Sequence, residues 1–412
     1  MSFDNNLEGV NITRNMWYAF WNPGKQTFTS LKAVNGTIGG ENKFNVWSVS
    51  VAVHAIVDAA RVAPEFAGPL IDQAIKAMNK YRSPQYGGYC AFENYDGNND
   101  IYYDDDAQVA SALICAYEVT RNQEYLKLGK DLVHFLMGGY NNDKNSKAGG
   151  GMKWHVSKDY CNTCTTSECA IAAMRLAKFV SGNEQRELYE YAKKCINWVF
   201  DKMIDPEDRL VWDGVGKDSD SPDTMKYTYN IGTTLTAVCM LYQYDHDSIW
   251  VDRSKLLAEG ATDRGRWLFC RDYGDWKKRF WRDPSYFVQL LIEGLADYIE
   301  TFGNIGPEQT VNCCKNEIIR HLSYFRKYNF DPKDGLYYMT FENHRLDREI
   351  YQRYRDEFGE SKGFDPWGED RASGDGKPED RPMAKCLIGC ASAARIFLQG
   401  ARVAQKMDPV DG

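Results

Sequence analysis

Apolar residues recur at helical spacing along most of the chain, whereas the alternation typical of strands is rare and short. This periodicity predicts a series of helices and an all-α protein. The predicted helices occupy approximately residues 4–20, 47–62, 69–81, 105–120, 124–137, 165–180, 185–203, 231–244, 250–269, 285–302, 309–327 and 382–405.

The predicted helices alternate between two kinds. One kind is rich in small residues and apolar on every face, as in "AQVASALICAYEV", and the other has a charged face, as in "EYLKLGKDLVHFL". A helix that is apolar all round must be buried, and a helix with a charged face lies outside. Six buried and six outer helices in alternation predict an (α/α)6 toroid, a six-hairpin barrel, formed by residues 1–412 as a single domain.

Long connections rich in glycine and aromatic residues precede the buried helices, while those that follow them are short, as in "TRNQ" and "VSGNEQ". This asymmetry predicts that one face of the toroid carries the function. The chain contains 11 Trp and 26 Tyr, many of them outside the predicted helices. Aromatic loops commonly line sites for flat, weakly polar ligands, sugars included, although core packing explains such residues equally well.

The longest connection spans residues 328–381 and is charged and glycine-bearing. Long stretches without predicted secondary structure are either functional or mobile. We therefore consider two interpretations of this insertion, a lid over the cleft and a solvated surface segment.

Charge and hydropathy narrow the possible partners. The net charge is −8 and no run of Lys or Arg forms a phosphate-binding stripe, so nucleic acid is not an expected partner. No apolar stretch approaches the ~20 residues that cross a bilayer, so no membrane association is expected. The first residues, "MSFDNNLEGV", lack the features of a secretory signal. We expect a monomer in the cytoplasm, or a secreted protein if a signal peptide was removed.

Twelve cysteines are scattered along the chain, several of them in apolar helical stretches, which suits a reducing compartment. His155, Cys161, Cys164 and Cys169 lie close enough in sequence to suggest a zinc site or a disulfide. However, Cys169 belongs to an apolar helix and no second CxxC motif is present. Ordinary thiols are the default interpretation, and we predict no metal and no cofactor.

Three consecutive acids, Asp104, Asp105 and Asp106, stand in "YYDDDAQ" at the start of a buried helix. Carboxylates stabilise the positive end of a helix dipole, which accounts for one or two of them. Calcium loops space their ligands at alternate positions, so a calcium site is a poor fit. Glycoside hydrolysis requires two carboxyl groups beside one bond, and adjacent residues can achieve the short separation that retention needs.

Four segments together resemble glycoside hydrolase family 76, the endo-α-1,6-mannanases and related fungal wall proteins. They are "YYDDDAQV" (102–109), "GGGMKWH" (149–155), "LVWDG" (210–214) and "YTYNIG" (227–232), and the likeness runs over about residues 40–300. The resemblance implies an (α/α)6 barrel and retaining hydrolysis of α-mannosidic bonds, with α-1,6 linkages as the expected target. It also implies that Asp104 is the nucleophile and Asp105 the general acid/base.

The resemblance further implies that Trp154, Asp213, Tyr229 and Asn230 line the sugar subsites. Position alone suggests stacking platforms at two tryptophans and a ligand contact at one histidine of the cleft loop. Two residues beside the acid pair complete the predicted binding set. These further candidates are Trp47, Trp212, His155, Tyr103 and Asp106.

The chain also departs from the family pattern. Asp106 replaces an Asn, Gln108 and Val109 replace a Trp pair, and in "CTTSECA" Glu168 is the candidate for an acidic position. Two alternatives to hydrolysis therefore stay open. One is an acid-initiated cyclisation or rearrangement of a small molecule on the same toroid, and the other is a catalytically silent sugar-binding protein.

Overall fold

The computed structural model describes residues 2–29, 31–33, 38–39, 45–93, 97–359 and 362–408, and this part of the chain contains thirteen α-helices. Twelve of them correspond to the predicted helices, and the predicted all-α class is confirmed. The thirteen helices, of which only α12 was not predicted, are α1 (Asn5–Phe20), α2 (Asn45–Val62), α3 (Pro64–Asn79), α4 (Tyr103–Thr120), α5 (Gln123–Met137), α6 (Thr163–Ala177), α7 (Gly182–Lys202), α8 (Thr228–Asp245), α9 (Ser248–Thr262), α10 (Ser285–Phe302), α11 (Glu308–Asn329), α12 (Arg348–Phe358) and α13 (Leu387–Ala401).

Six helices, α2, α4, α6, α8, α10 and α13, form a closed inner ring. Each packs against the next, and α13 returns to α2. The outer helices α3, α5, α7, α9 and α11 each pack against the inner helix that precedes them in the chain, and α1 packs against α13. The inner helices are buried on nearly every face, and in α13 every residue is buried. The predicted (α/α)6 toroid is confirmed.

The two ends of the chain meet on the outside of the ring. Asp4 accepts a hydrogen bond from the Leu7 backbone N–H and so caps α1. The Asn5 side chain donates to the Ala404 carbonyl at 2.6 Å, across almost the whole length of the sequence. These contacts allow the first helix to serve as the outer partner of the last. In the described part of the chain, no helix is long and apolar enough to cross a membrane.

Short strands between the helices pair into small sheets of two or three strands. The three-stranded sheet β6-β7-β8 lies at the entry to α6 and has antiparallel pairing, with Met152 opposite Asn162 and Cys161 opposite Val215. The strands are β1 (Phe3–Asp4), β2 (Trp21–Asn22), β3 (Thr27–Phe28), β4 (Leu31–Ala33), β5 (Ile38–Gly39), β6 (Met152–Lys153), β7 (Tyr160–Asn162), β8 (Gly214–Gly216), β9 (Phe330–Asp331), β10 (Leu336–Tyr337), β11 (Ala384–Cys386) and β12 (Lys406–Met407).

Several predicted helix boundaries were wrong by three or more residues, including the start of α3, and two of them show why. α9 ends at Thr262 rather than near residue 269, because Phe269 is buried in a loop where it pairs with Trp281. α13 begins at Leu387 rather than near residue 382, because residues 384–386 pair with β4. In both places apolar residues continue past the helix, so hydrophobicity alone marks no boundary.

The insertion at residues 328–381 has its own secondary structure over the residues described. It contains the β9-β10 hairpin and α12, whose N-terminus is capped by Asp347. The Asp370 carboxylate accepts hydrogen bonds from the backbone N–H groups of Met339 and Thr340 at 2.9 and 3.1 Å. These bonds tie the end of the insertion back to its beginning.

Candidate active site

The acid cluster lies in the first turn of α4, at the rim of the ring onto which the long connections converge. Asp104 and Asp105 are half-buried and line a cavity of about 220 Å³. The cavity is walled by aromatic and polar residues from five of the inner-helix entries. Its lining consists of Trp47, Asp104, Asp105, Gln108, Trp154, Tyr160, Asn162, Cys164, Glu168, Asp213, Tyr229, Phe287 and Leu290.

Asp104 is held in place by two hydrogen bonds. The Trp154 indole Nε1–H donates to Asp104 Oδ2 at 2.9 Å, and the Asp105 backbone N–H donates to Asp104 Oδ1 at 3.1 Å. Burial raises the pKa of the Asp104 carboxyl to about 6, and the Trp154 hydrogen bond limits that rise because it stabilises the charged form. Asp104 is therefore the member of the pair that ionises more readily.

Asp105 has a different environment. Burial and the neighbouring Asp104 charge raise the pKa of the Asp105 carboxyl well above its usual value. Among the residues described, no side chain donates a hydrogen bond to it. Two adjacent carboxyl groups whose surroundings separate their pKa values form a natural carboxylate–carboxylic acid pair.

A glycine-rich loop positions Trp154 over the pair. Gly149, Gly150 and Gly151 have φ angles of 64°, 136° and 82°, which residues with side chains rarely adopt. A Cβ atom on Gly151 would lie 2.7 Å from the Trp198 ring, so the loop can pass there only without a side chain. Immediately after the loop, the Trp154 carbonyl accepts a hydrogen bond from the Tyr103 N–H at 2.9 Å, which joins this segment to α4.

Asp213 lies on another wall of the cavity and accepts four side-chain hydrogen bonds. Tyr229 Oη donates to it at 2.7 Å, Asn230 Nδ2 and Tyr160 Oη each at 3.1 Å, and Asn162 Nδ2 at 3.3 Å. These donors come from β7, the N-cap of α6 and the first turn of α8. Asp213 thus aligns the sheet with two inner-helix entries and fixes the orientation of Tyr229 beside the acid pair's cavity.

Aromatic rings form a continuous wall. The Phe287 ring centroid lies 4.3 Å from that of Tyr229 and 6.0 Å from that of Trp47. Tyr229 also stacks on Tyr227, with centroids 5.1 Å apart and ring planes at 9°. Such surfaces match the C–H faces of sugar rings.

Glu168, near the start of α6, is 4% exposed and contributes a fourth acid to the cavity, beside Asp213 and the acid pair. Gln108 Nε2 donates to Glu168 Oε1 at 2.8 Å. Burial and the Asp104 charge raise the pKa of the Glu168 carboxyl well above its usual value. The raised pKa favours the neutral form of Glu168, which occupies the acidic position that the sequence suggests.

Four residues of the predicted binding set lie elsewhere. The Tyr103 ring stacks on Phe135, between α4 and α5, with centroids 5.5 Å apart. His155 is 6% exposed and pairs with Asp100 at 3.1 Å. Neither of these residues lines the cavity.

The other two are Asp106 and Trp212. Asp106 is fully buried and accepts the Tyr89 N–H at 3.0 Å, which anchors the preceding loop. Trp212 donates its indole N–H to Asp205 at 3.1 Å, outside the cavity. Helix rotation explains Asp106, because each successive residue turns by about 100° and the third acid faces away from the pair.

The remaining candidates are brought together. Trp47, Trp154, Asp213 and Tyr229 line the cavity with the acid pair, and Asn230 supports Asp213 from behind. Six further residues line the cavity but were not predicted as ligand contacts, because their uncharged side chains do not stand out as sugar-binding groups in the local sequence. They are Gln108, Tyr160, Asn162, Cys164, Phe287 and Leu290.

Cys161, Cys164 and Cys169 carry free, buried thiols. Within the described ranges, no three or more His, Cys, Asp or Glu side chains are arranged to hold a metal ion.

Comparison with known proteins agrees with this architecture. The family model described as Glycosyl hydrolase family 76 matches residues 7–310. The Meiotically up-regulated gene 191 protein of Schizosaccharomyces pombe is 31% identical over 427 residues, spanning 98% of this chain and 94% of that protein. Mannan endo-1,6-alpha-mannosidase DCW1 of Saccharomyces cerevisiae is 28% identical over 116 residues, spanning 26% of this chain and 25% of that protein.

Among solved structures, the GH76A α-1,6-mannanase of Salegentibacter sp. HEL1_6 matches with a TM-score of 0.72 in an inactive variant bound to α-1,6-mannotriose. The match covers 97% of this chain and all of that chain at 17% identity, which supports the fold. The family model spans most of the chain, from residue 7 to residue 310. The chain therefore belongs to glycosyl hydrolase family 76.

Proposed function

We propose that the protein hydrolyses α-mannosidic bonds, with α-1,6 linkages as its target, and retains the anomeric configuration. The observation that carries this proposal is the Asp104–Asp105 pair, which lies in an aromatic-walled cavity with its two pKa values driven apart. Family membership supports glycoside hydrolysis. The names of two similar proteins give α-1,6-linked mannan as the substrate of those proteins. The Salegentibacter mannanase is inactive when two neighbouring aspartates are replaced, which supports a role for an aspartate pair.

In the first step, Asp105 acts as general acid. Its carboxyl proton passes to the glycosidic oxygen, the bond from that oxygen to the anomeric carbon breaks, and the Asp104 carboxylate bonds to the anomeric carbon. The products are a glycosyl ester on Asp104 and a free leaving group. The hydrogen bond from Trp154 suits this role because it keeps Asp104 ionised and oriented before attack.

In the second step, Asp105 acts as general base. Its carboxylate takes a proton from water, the water oxygen bonds to the anomeric carbon, and the ester bond to Asp104 breaks. Two inversions give net retention, and both carboxyl groups return to their starting states. Burial raises the pKa of the nearby Glu168 carboxyl, which disfavours a competing negative charge beside the pair.

The test is hydrolysis of α-1,6-mannooligosaccharides by the wild type, Asp104→Asn and Asp105→Asn, with NMR following the anomer released first. We expect the α-anomer from the wild type. Asp104→Asn and Asp105→Asn should each lower kcat by at least about 1000-fold, since each removes one partner of a two-group mechanism.

Asp375→Asn is the matched control, because Asp375 is an exposed acid outside the cavity. Release of the β-anomer would contradict retention. Binding of the oligosaccharide without turnover by the wild type would favour a silent sugar-binding protein. If no glycoside is bound or cleaved, acid-initiated rearrangement of a small molecule becomes the better account.

A further inference from the structure

A second cavity, of about 490 Å³, adjoins the catalytic cavity, and Phe287 lines both. The insertion at residues 328–381 supplies part of its lining, whereas no described residue of that insertion lines the catalytic cavity. The insertion residues that line the second cavity are Glu342, Arg345, Trp367, Gly368 and Glu369. They all follow residue 310, where the match to the family model ends.

Two arginine–tryptophan pairs form its walls. The Arg345 guanidinium carbon lies 4.1 Å from the Trp367 ring centroid, and the Arg282 guanidinium carbon lies 5.1 Å from that of Trp267. Trp267 is 37% exposed, which is a large apolar surface for a folded protein to leave in contact with solvent. Tryptophan faces with neighbouring donors are suited to the apolar faces and hydroxyl groups of a pyranose.

The charges of the second cavity balance, so no single sign dominates. Lys226 pairs with Asp205 and Asp208, and Arg345 pairs with Glu342 at 3.1 Å. Arg282 makes no side-chain hydrogen bond or ion pair with the described residues, which leaves its five N–H donors for a ligand. Balanced donors and acceptors beside aromatic faces favour a neutral polyol over an anion. The charged lining residues are Lys226, Arg282, Arg345, Asp283, Glu342 and Glu369.

We propose that the second cavity binds a neutral hexose branch carried by the α-mannan chain whose backbone lies in the catalytic cavity. This proposal rests on the proposed function for the identity of the backbone. The shared Phe287 wall makes the two cavities neighbours, as a branch one linkage away from the backbone requires. The insertion thereby selects branched over linear substrates.

The first experiment compares kcat/KM for a linear α-1,6-mannotetraose with kcat/KM for two branched pentasaccharides. Each pentasaccharide carries a single α-1,2-mannosyl branch, on one or the other inner residue of the tetraose, so the two are isomers of each other. We expect at least one branched isomer to be preferred by the wild type. Trp367→Ala should lower the branched-to-linear ratio by about 10-fold, the order expected from losing one stacking contact.

Trp276→Ala is the matched control, because Trp276 is a 54% exposed tryptophan that lines neither cavity, and it should leave the ratio unchanged. A wild-type enzyme that prefers the linear chain over every branched isomer would overturn the proposal. A ratio that Trp367→Ala leaves intact would overturn it as well.

Binding separates this proposal from the proposed function. Calorimetric titration of Asp104→Asn with the same oligosaccharides measures affinity without chemistry. Tighter binding of a branched isomer, lost in the Asp104→Asn/Trp367→Ala double variant, supports the second cavity even if the wild type cleaves nothing. Equal affinities for branched and linear chains refute it even if the linear chain is cleaved.

Discussion

At the scale of single residues, three neighbouring aspartates occupy three different environments. Asp104 receives the Trp154 N–H, Asp105 receives no described side-chain donor, and Asp106 turns away to the Tyr89 backbone. One side-chain type therefore serves as carboxylate, as carboxylic acid and as a structural anchor. The surroundings of each carboxyl, rather than its chemistry, separate the three roles.

The first prediction concerns pH. In the proposed mechanism Asp104 attacks as a carboxylate and Asp105 donates a proton, so kcat/KM should follow a bell-shaped curve whose acidic limb lies near pH 6. The alkaline limb should lie higher, because the pKa of Asp105 is raised further. A pH–rate profile measures both limbs, and a flat profile between pH 4 and pH 8 would contradict the assignment.

A second prediction separates the two limbs. Trp154→Phe removes the hydrogen bond that stabilises the Asp104 carboxylate while keeping an aromatic ring. The pKa of Asp104 should rise, so the acidic limb should move to higher pH while the alkaline limb moves less. Trp212→Phe is the control, since the Trp212 indole binds Asp205 outside the cavity. Equal movement of both limbs would argue that Trp154 acts on the pair only through packing.

A third prediction concerns stability. Burial raises the pKa of Asp106, so the folded state retains a proton that the unfolded state loses above about pH 4. This group therefore destabilises the fold increasingly as pH rises toward its folded pKa. Asp106→Asn keeps an acceptor for the Tyr89 N–H and removes that penalty, by up to about 1.4 kcal/mol per pH unit.

Urea unfolding at pH 4.5 and pH 8 provides the measurement. The advantage of Asp106→Asn over the wild type should grow between the two pH values, whereas the exposed Asp252→Asn should show no such trend. A constant difference would mean that Asp106 is ionised in the folded protein.

At the scale of elements, the inner helices α8 and α10 approach each other closely at two glycines. A Cβ atom on Gly232 would lie 2.5 Å from the Leu290 carbonyl oxygen, and one on Gly294 would lie 2.4 Å from the Gly232 carbonyl oxygen. Neighbouring backbone atoms cannot move away as a flexible side chain can. Because Leu290 lines the catalytic cavity, the contact also sets the position of the cavity wall.

Gly232→Ala should therefore lower the free energy of unfolding by about 3 kcal/mol, at the upper end of the range for overpacked cores. Gly274→Ala is the matched control, since Gly274 lies in a loop where an added Cβ would meet nothing within 4 Å beyond its chain neighbours. That substitution should be neutral or stabilising by up to about 1 kcal/mol, because alanine restricts the unfolded chain more than glycine does. Chemical denaturation of both variants decides the matter, and a neutral Gly232→Ala would show that the ring can expand there.

Among all features, the helices were predicted most accurately from the sequence. The twelve predicted helices are present because a helix that is apolar all round or on one face displays its burial in the local pattern. α12 was missed because it lies in a charged stretch with only Tyr351 and Tyr354 buried. The short strands were missed as well, since two or three residues carry too little pattern.

At the scale of the whole molecule, a buried charge network joins helices from opposite ends of the chain. The 2% exposed Arg395 of α13 contacts Asp58 of α2 at 3.2 Å, and Gln289 and Glu293 of α10 at 2.6 Å each. Arg175 of α6 donates to the same Glu293 at 2.9 Å. Burial alone would raise the pKa of Glu293, but the two arginines outweigh it and hold that pKa below its usual value.

Arg395→Leu should cost about 3–5 kcal/mol at pH 7, because it leaves Asp58 and Glu293 buried with fewer partners. The loss should be smaller near pH 4, where the Glu293 carboxyl, no longer held ionised by Arg395, can take up a proton. Thermal unfolding at the two pH values tests this, with the exposed Arg186→Leu as control. An equal loss at both pH values would mean that Arg395 stabilises the ring by packing alone.

Local sequence was sufficient to predict the helices, their alternation between buried and outer kinds, and the acid pair at the entry to a buried helix. These properties are local, because burial repeats with the helical period and neighbouring residues remain neighbours in the fold. Family motifs extended this to Trp154, Asp213 and Tyr229, which do converge on the cavity.

The arrangement of the helices in space determines which members of the predicted set face the cavity and which pack elsewhere. Asp106 and Tyr103 are separated from the acid pair by helix rotation, whereas Phe287 joins it from more than 180 residues away through closure of the ring. The same closure places the insertion beside the cleft as the wall of a second cavity. Contacts between distant residues depend on how whole helices are oriented, and no local pattern of apolar and polar residues records that orientation.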